Sequence, residues 1–175
     1  MSVEEIQSQI NYYRNKIYAL ERSRSEVERQ KQLAEEAKAR AIKARDKAKK
    51  SKKEYEKMKN QIVSLKSKVN SAKSAINETK ASISKCIDGD GPRIDDLLSK
   101  FATPFNSLTS ANALLESANR DASEKITQLE EDIKKEEEII TREEASIKEK
   151  QNKINSIDED ISNCNRTIHY LQLQL

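Results

Sequence analysis

Thirty carboxylates, one histidine and two cysteines are the groups in this chain that could move protons, hold a metal or attack a substrate. General acid–base catalysis needs a group whose pKa is tuned by a concave, partly dry site. The acids here fall in runs such as Glu130-Glu131-Asp132 and Glu136-Glu137-Glu138, on long helices that hold them at the surface without a pocket around them. A single histidine, His169, rules out a His–His metal site within one chain, and its place beside the inward positions marks it as a surface residue. There is no CxxC and no glycine-rich phosphate loop. The sequence therefore predicts no catalytic residue, no metal site and no cofactor, and a protein that is not an enzyme.

The other chemistry on offer is charge. Lys38, Arg40, Lys43, Arg45, Lys47, Lys49, Lys50, Lys52 and Lys53 crowd one stretch whose apolar positions are alanine. Such a stripe is either a solvated helix face or a phosphate-binding surface for nucleic acid or anionic lipid. The formal net charge of the whole chain is only +3, so the basic stretch has an acidic counterpart elsewhere.

The elements that must position these groups are helices. The chain of 175 residues is 36% charged with two glycines, two prolines and no Trp, a composition that suits a coiled coil with a thin core better than a globular domain. Both glycines and one proline lie in Asp88-Gly89-Asp90-Gly91-Pro92, which reads as a turn: Gly89 suits a helix end and Pro92 the start of the next helix. The fold class is all-α, an elongated antiparallel coiled-coil hairpin forming a single domain over 1–175. Arm one covers 2–87, the turn 88–92 and arm two 93–175, each arm ~120 Å long at 1.5 Å per helical residue.

Ser2-Val3-Glu4-Glu5 reads as a capping box. The apolar seam of arm one runs Ile6, Ile10, Tyr13, Ile17, Leu20 and Val27, with Arg24 occupying one position. Near Leu33 and Ala34 the phase shifts by a short step. It continues as Ala37, Ala41, Ala44, Ala48, Ser51, Tyr55, Met58, Ile62, Leu65, Val69, Ala72, Ile76, Thr79, Ile83 and Cys86. Arm two holds one phase from Ile94 through Leu98, Phe101, Phe105, Leu108, Asn112, Leu115, Asn119, Ala122, Ile126, Leu129 and Ile133. The same phase goes on through Glu136, Ile140, Glu143, Ile147, Lys150, Ile154, Ile157, Ile161, Cys164, Ile168 and Leu171 to Leu175. Pro104 lacks an N–H inside that phase and predicts a kink or break near 101–104, with Thr103 as cap.

Folding at the turn pairs residues whose numbers add to roughly 180, so that Cys86 meets Ile94, Leu65 meets Leu115, Leu20 meets Ile161, Tyr13 meets Ile168 and Ile6 meets Leu175. The basic stretch then faces Glu130, Glu131, Asp132, Glu136, Glu137, Glu138, Glu143 and Glu144. Those pairs set register and choice of partner rather than stability. This built-in acidic partner argues against nucleic acid or a membrane surface as the ligand. Cys86 and Cys164 fall ~100 Å apart along the arms, too far for a disulfide, so both are expected to be reduced.

Residues left over by a two-helix seam are the candidate partner-binding residues: Tyr12, Tyr18, Phe101, Phe105, Leu114 and Ile139. The two phenylalanines flank the Pro104 break, where they either plug irregular packing or dock a partner. A second weak apolar stripe marks either a homodimer, as a four-helix bundle, or a face for a partner helix. No apolar stretch is long enough to span a bilayer and no signal-peptide core follows Met1. The expected location is cytoplasmic, with export lacking a cleaved signal as the variant.

The segment Asn11-Tyr12-Tyr13-Arg14-Asn15-Lys16-Ile17-Tyr18-Ala19-Leu20, with a central glycine-containing turn, resembles the small helical-hairpin proteins of Gram-positive type VII (ESX, WXG-like) secretion. The closest likeness is to the accessory subset associated with LXG toxins. The resemblance implies an adaptor, chaperone or targeting factor that binds the helical N-terminal domain of a secreted toxin. The sequence departs from that pattern in having no Trp-x-Gly at the turn and Gln174 four residues after Tyr170, where an export signal would carry an acid. Two other readings stand beside it: a self-associating coiled-coil spacer or scaffold, and a nucleic-acid or anionic-membrane binder using residues 38–53.

Overall fold

The computed structural model describes residues 2–86 and 92–175, with side chains for all of these except 86 and 92–94. Three helices follow in order: α1 (Val3–Cys86), α2 (Pro92–Ser99) and α3 (Ala102–Gln172). No strand occurs among the described residues, and the helix contacts are those of an antiparallel hairpin. The expected turn at 88–92 lies outside the described residues apart from Pro92, which opens α2. The expected contact of Cys86 with Ile94 also lies outside them. The capping box forms at the start of α1. The Ser2 N–H donates to Glu5 Oε2 at 2.7 Å and the Glu5 N–H donates to Ser2 Oγ at 3.2 Å, so two backbone donors that the helix cannot use are satisfied reciprocally.

The break in arm two falls at Lys100–Phe101, between α2 and α3. The Phe101 N–H donates to the Leu98 carbonyl at 3.2 Å and the Phe105 N–H to the Phe101 carbonyl at 3.2 Å. Pro104 is thereby the third residue of α3, where no intrahelical donor is required of it. Thr103 is inside the helix rather than its cap, because the chain leaves α2 two residues earlier than its threonine suggests.

The chain divides into two compact units, residues 1–46 with 134–175, and residues 47–133. In the first, Ile6, Ile10, Ile168 and Leu171 form a buried cluster with Tyr13 and Ile17 against it. Val27, Ile154 and Ile157 form a second cluster with Leu20 and Ile161. Leu175 is exposed, so Ile6 is covered by Ile168 and Leu171 rather than by the last residue, where the backbone has already left the helix. Cys164 is a free, buried thiol. In the second unit the buried apolar residues are Ile62, Ala122 and Leu129.

The inward positions of α1 form two columns with a strict seven-residue step. One is apolar throughout: Ile6, Tyr13, Leu20, Val27, Ala34 and Ala41 in the first unit, then Ala48, Tyr55, Ile62, Val69, Ile76 and Ile83 in the second, all buried or half-buried. The expected phase shift near Leu33–Ala34 is therefore absent, because Ala34 and Ala41 continue the column of Ile6 in step. The other column begins with Ile10 and Ile17 and then turns basic. Arg24, Lys31, Lys38 and Arg45 follow in the first unit, and Lys52, Lys59, Lys66, Lys73 and Lys80 in the second, all half-buried. Long aliphatic stems can cover apolar surface while their charged ends reach the edge of the interface, which is why cations fill positions that Leu would take in a simpler coiled coil. The residues expected at these levels, Ala44, Met58, Leu65 and Ala72, are exposed instead. Arm two keeps its single expected phase, with Glu136 and Glu143 half-buried among the isoleucines.

Candidate interaction surfaces

The two columns of α1 give the hairpin two unlike flanks. On the flank of the basic column, cations of α1 reach polar ends of α3. In the first unit Arg24 Nε donates to Asp158 Oδ1 at 2.6 Å, Lys31 Nζ to Gln151 Oε1 at 2.9 Å, and Lys38 Nζ pairs with Glu144 at 3.0 Å. In the second, Lys52 Nζ pairs with Glu130 at 2.8 Å and Lys66 Nζ with Glu116 at 2.9 Å. In every one of these five pairs the residue numbers add to 182. The hydrogen bond to Asp158 raises the Arg24 pKa, that to Glu130 raises the Lys52 pKa, and the bond from Lys66 holds the Glu116 carboxyl below its ordinary value. Within α1 alone, bonds from Arg29 and then Gln30 lower Glu26 to about 2.

The same flank of the second unit carries Asn112 and Asn119, one heptad apart in the inward phase of α3. Their Oδ1 atoms are buried and have no hydrogen-bond partner, while Asn112 Nδ2 makes a long bond of 3.4 Å to Glu116. Asparagine in a coiled-coil interior costs stability and restricts which alignments and partners are tolerated.

The opposite flank is apolar. In the second unit it presents Met58 and Leu65 of α1, both 49% exposed, and Leu114 of α3, 72% exposed. Half-buried Ala111 and Ala118 lie between them.

The candidate partner-binding residues do not form one site. Tyr12 and Tyr18, 62% and 71% exposed, lie on α1 of the first unit. The Tyr12 and Tyr13 rings form a T-shaped pair with centroids 5.3 Å apart, a favourable arrangement for two aromatic rings. Ile139 is half-buried in the same unit, far along α3. Phe101 and Phe105 are half-buried at the break in the second unit, with Lys73 Nζ 5.0 Å from the Phe105 ring centroid. Leu114 projects from the apolar flank of the same unit. What the sequence reading missed is the basic column itself. Its signal in the sequence is Lys or Arg at every seventh position from Arg24 to Lys80, which apolar periodicity alone does not register.

The crowded basic stretch is divided by this geometry. Lys38 and Lys52 turn to α3, and Arg45 bonds its neighbour Asp46. Arg40 and Lys43 in the first unit, and Lys47, Lys50 and Lys53 in the second, are exposed and have no ion pair among the described residues. No helix is long and apolar enough to cross a membrane, and no cluster of His, Cys, Asp or Glu could hold a metal ion, among the described residues. Comparisons with protein-family models, with curated proteins and with solved structures find no match.

Proposed function

We propose that this protein is a non-catalytic coiled-coil adaptor or chaperone that presents long helix faces to another helical protein. The observation that carries this reading is the contrast at the tyrosine-rich start of α1. The seam there is closed by Ile6, Ile10, Ile168 and Leu171, yet Tyr12 and Tyr18 remain on the outside. Exposed aromatic side chains with a polar end are the residue type that anchors protein interfaces. The narrower form, a targeting factor for a type VII secreted toxin, rests on the likeness of residues 11–20 to that group. Affinity capture of the full chain from its own host, compared with a Tyr12→Ser/Tyr18→Ser variant, tests both. The expected result is one stoichiometric larger protein with a helical N-terminal region, lost in the variant. Retention of nucleic acid or lipid through Lys47, Lys50 and Lys53, or of the same protein by wild type and variant alike, would overturn it.

A further inference from the structure

Within the second unit, the apolar stripes of both helices point to the same side, and that side is uncovered. On α1 the exposed Met58 and Leu65 alternate with the inward Tyr55, Ile62 and Val69. This ladder with steps of four and three is what the sequence alone marks as the seam. On α3, Ala111 and Ala118 alternate in the same way with Leu108, Leu115 and Ala122. The other side is taken up by Lys52, Lys59, Lys66, Asn112 and Asn119. A helix with an apolar ladder is expected to bury the middle of that ladder. Here α3 covers one edge of the ladder on α1, and α1 covers one edge of that on α3.

We infer that a second copy of this chain packs on the Met58, Leu65 and Leu114 flank of the second unit, with a two-fold axis parallel to the helices. Such an axis keeps every level aligned and lays α1 of each copy beside α3 of the other, antiparallel, as neighbours lie in four-helix bundles. The surface is then complementary to itself. Because facing residues add to 182, large Leu65 of one copy comes level with small Ala118 of the other, a pairing of sizes that suits interdigitation. Its rim is complementary in charge as well. Glu54 on α1 and Lys125 on α3 have no ion pair within the chain among the described residues, and the same axis brings Glu54 of each copy within one helical turn of Lys125 of the other, ~5 Å along the axis. This inference is independent of the adaptor reading, which uses the tyrosines of the first unit.

The test is the sedimentation behaviour of the full chain over roughly 1–100 μM, a range in which a micromolar dimer goes from mostly dissociated to mostly formed. A species of twice the chain mass is expected. Leu65→Lys weakens it by about tenfold or more with helicity by circular dichroism unchanged, since Leu65 is half in solvent already. Val63→Lys serves as control, because Val63 is as exposed but lies on the basic flank, and it leaves association unchanged. Glu54→Lys weakens the dimer and Lys125→Glu in the same chain restores it. A monomer across the whole range, or a dimer indifferent to Leu65→Lys, overturns the inference.

Discussion

Replacing Asn119 with isoleucine is expected to stabilise the protein. Asn119 lies in the inward phase of α3, at the level of the buried Ile62, and its Oδ1 is buried without a partner. Leaving a buried acceptor unpaired costs about 1–3 kcal/mol. Isoleucine removes that acceptor and adds aliphatic surface to the seam. Full burial of such a side chain contributes about 1.5–3 kcal/mol, and roughly half of that applies because position 119 is half-buried. Helix propensity does not confound the change, since asparagine and isoleucine rank close together. A cautious sum is about 2 kcal/mol of added stability.

Urea unfolding followed by helical circular dichroism reads this directly. With a slope of about 2 kcal/mol/M, the midpoint rises by about 1 M. Chain concentration must be held fixed, because any self-association adds to apparent stability by mass action. Asn112→Ile is a second site one heptad away, ~10 Å along the helix, so the two effects add to within about 0.5 kcal/mol. Asn112 gains less, because its Nδ2 gives up a bond to Glu116. A midpoint that stays put or falls in Asn119→Ile would refute the reasoning and show that the amide oxygen is satisfied in solution.

Ile10 is 1% exposed and sits in the cluster with Ile6, Ile168 and Leu171, so Ile10→Ala should cost about 2–5 kcal/mol in the same unfolding assay. Exposed Leu175→Ala should stay within about 0.5 kcal/mol. The pH dependence follows from the two depressed carboxyls. Glu26, lowered to about 2, and Glu116, lowered by Lys66, favour the folded state above the ordinary glutamate pKa and lose that contribution as the pH falls through their folded values. The melting temperature should therefore decline on acidification below about pH 4.5, and Lys66→Gln should flatten the part of that decline due to Glu116.

Periodicity made the fold legible, and it misled on one column. α3 could be read directly because its inward positions from Phe105 to Leu171 are mostly aliphatic and never change phase. The capping box at Ser2–Glu5 was equally legible, since the residues and the backbone need correspond one to one. In α1, following apolar residues alone carried the reading from Ile10 and Ile17 across to Ala37, Ala44 and Met58. The physical seam stays with Arg24, Lys31 and Lys38. A lysine stem buries hydrocarbon and delivers its charge to the rim, so hydrophobicity scales place it outside whether or not it is. The Asn112 and Asn119 positions were visible as polar interruptions, but only coordinates show that their oxygens lack partners. The candidate binding residues were found as leftovers of the pattern. Their dispersal over the two units depends on which side of the helix each leftover occupies, and that required the true inward columns.

The basic column also bears on what fixes the alignment of the arms. Its nine cations from Arg24 to Lys80 meet, at the native sum of 182, carboxylates at five places: Asp158, Glu144, Glu137, Glu130 and Glu116. Slide α3 by one heptad so that the sum becomes 189, and the same five carboxylates again face cations, now Lys31, Arg45, Lys52, Lys59 and Lys73. A column that repeats without variation cannot tell one heptad from the next, so these charges select an acidic partner face and not a register. The apolar column discriminates only weakly, because isoleucine follows isoleucine from position 126 to 168 at every seventh residue. The remaining constraint is covalent. Only residues 87–91 join α1 to α2, and a slip of one heptad, ~10 Å, would have to be taken out of that short connection or out of helix ends. An α1 cut free of α3 is therefore expected to keep its preference for acidic helices while losing its preference for any single alignment.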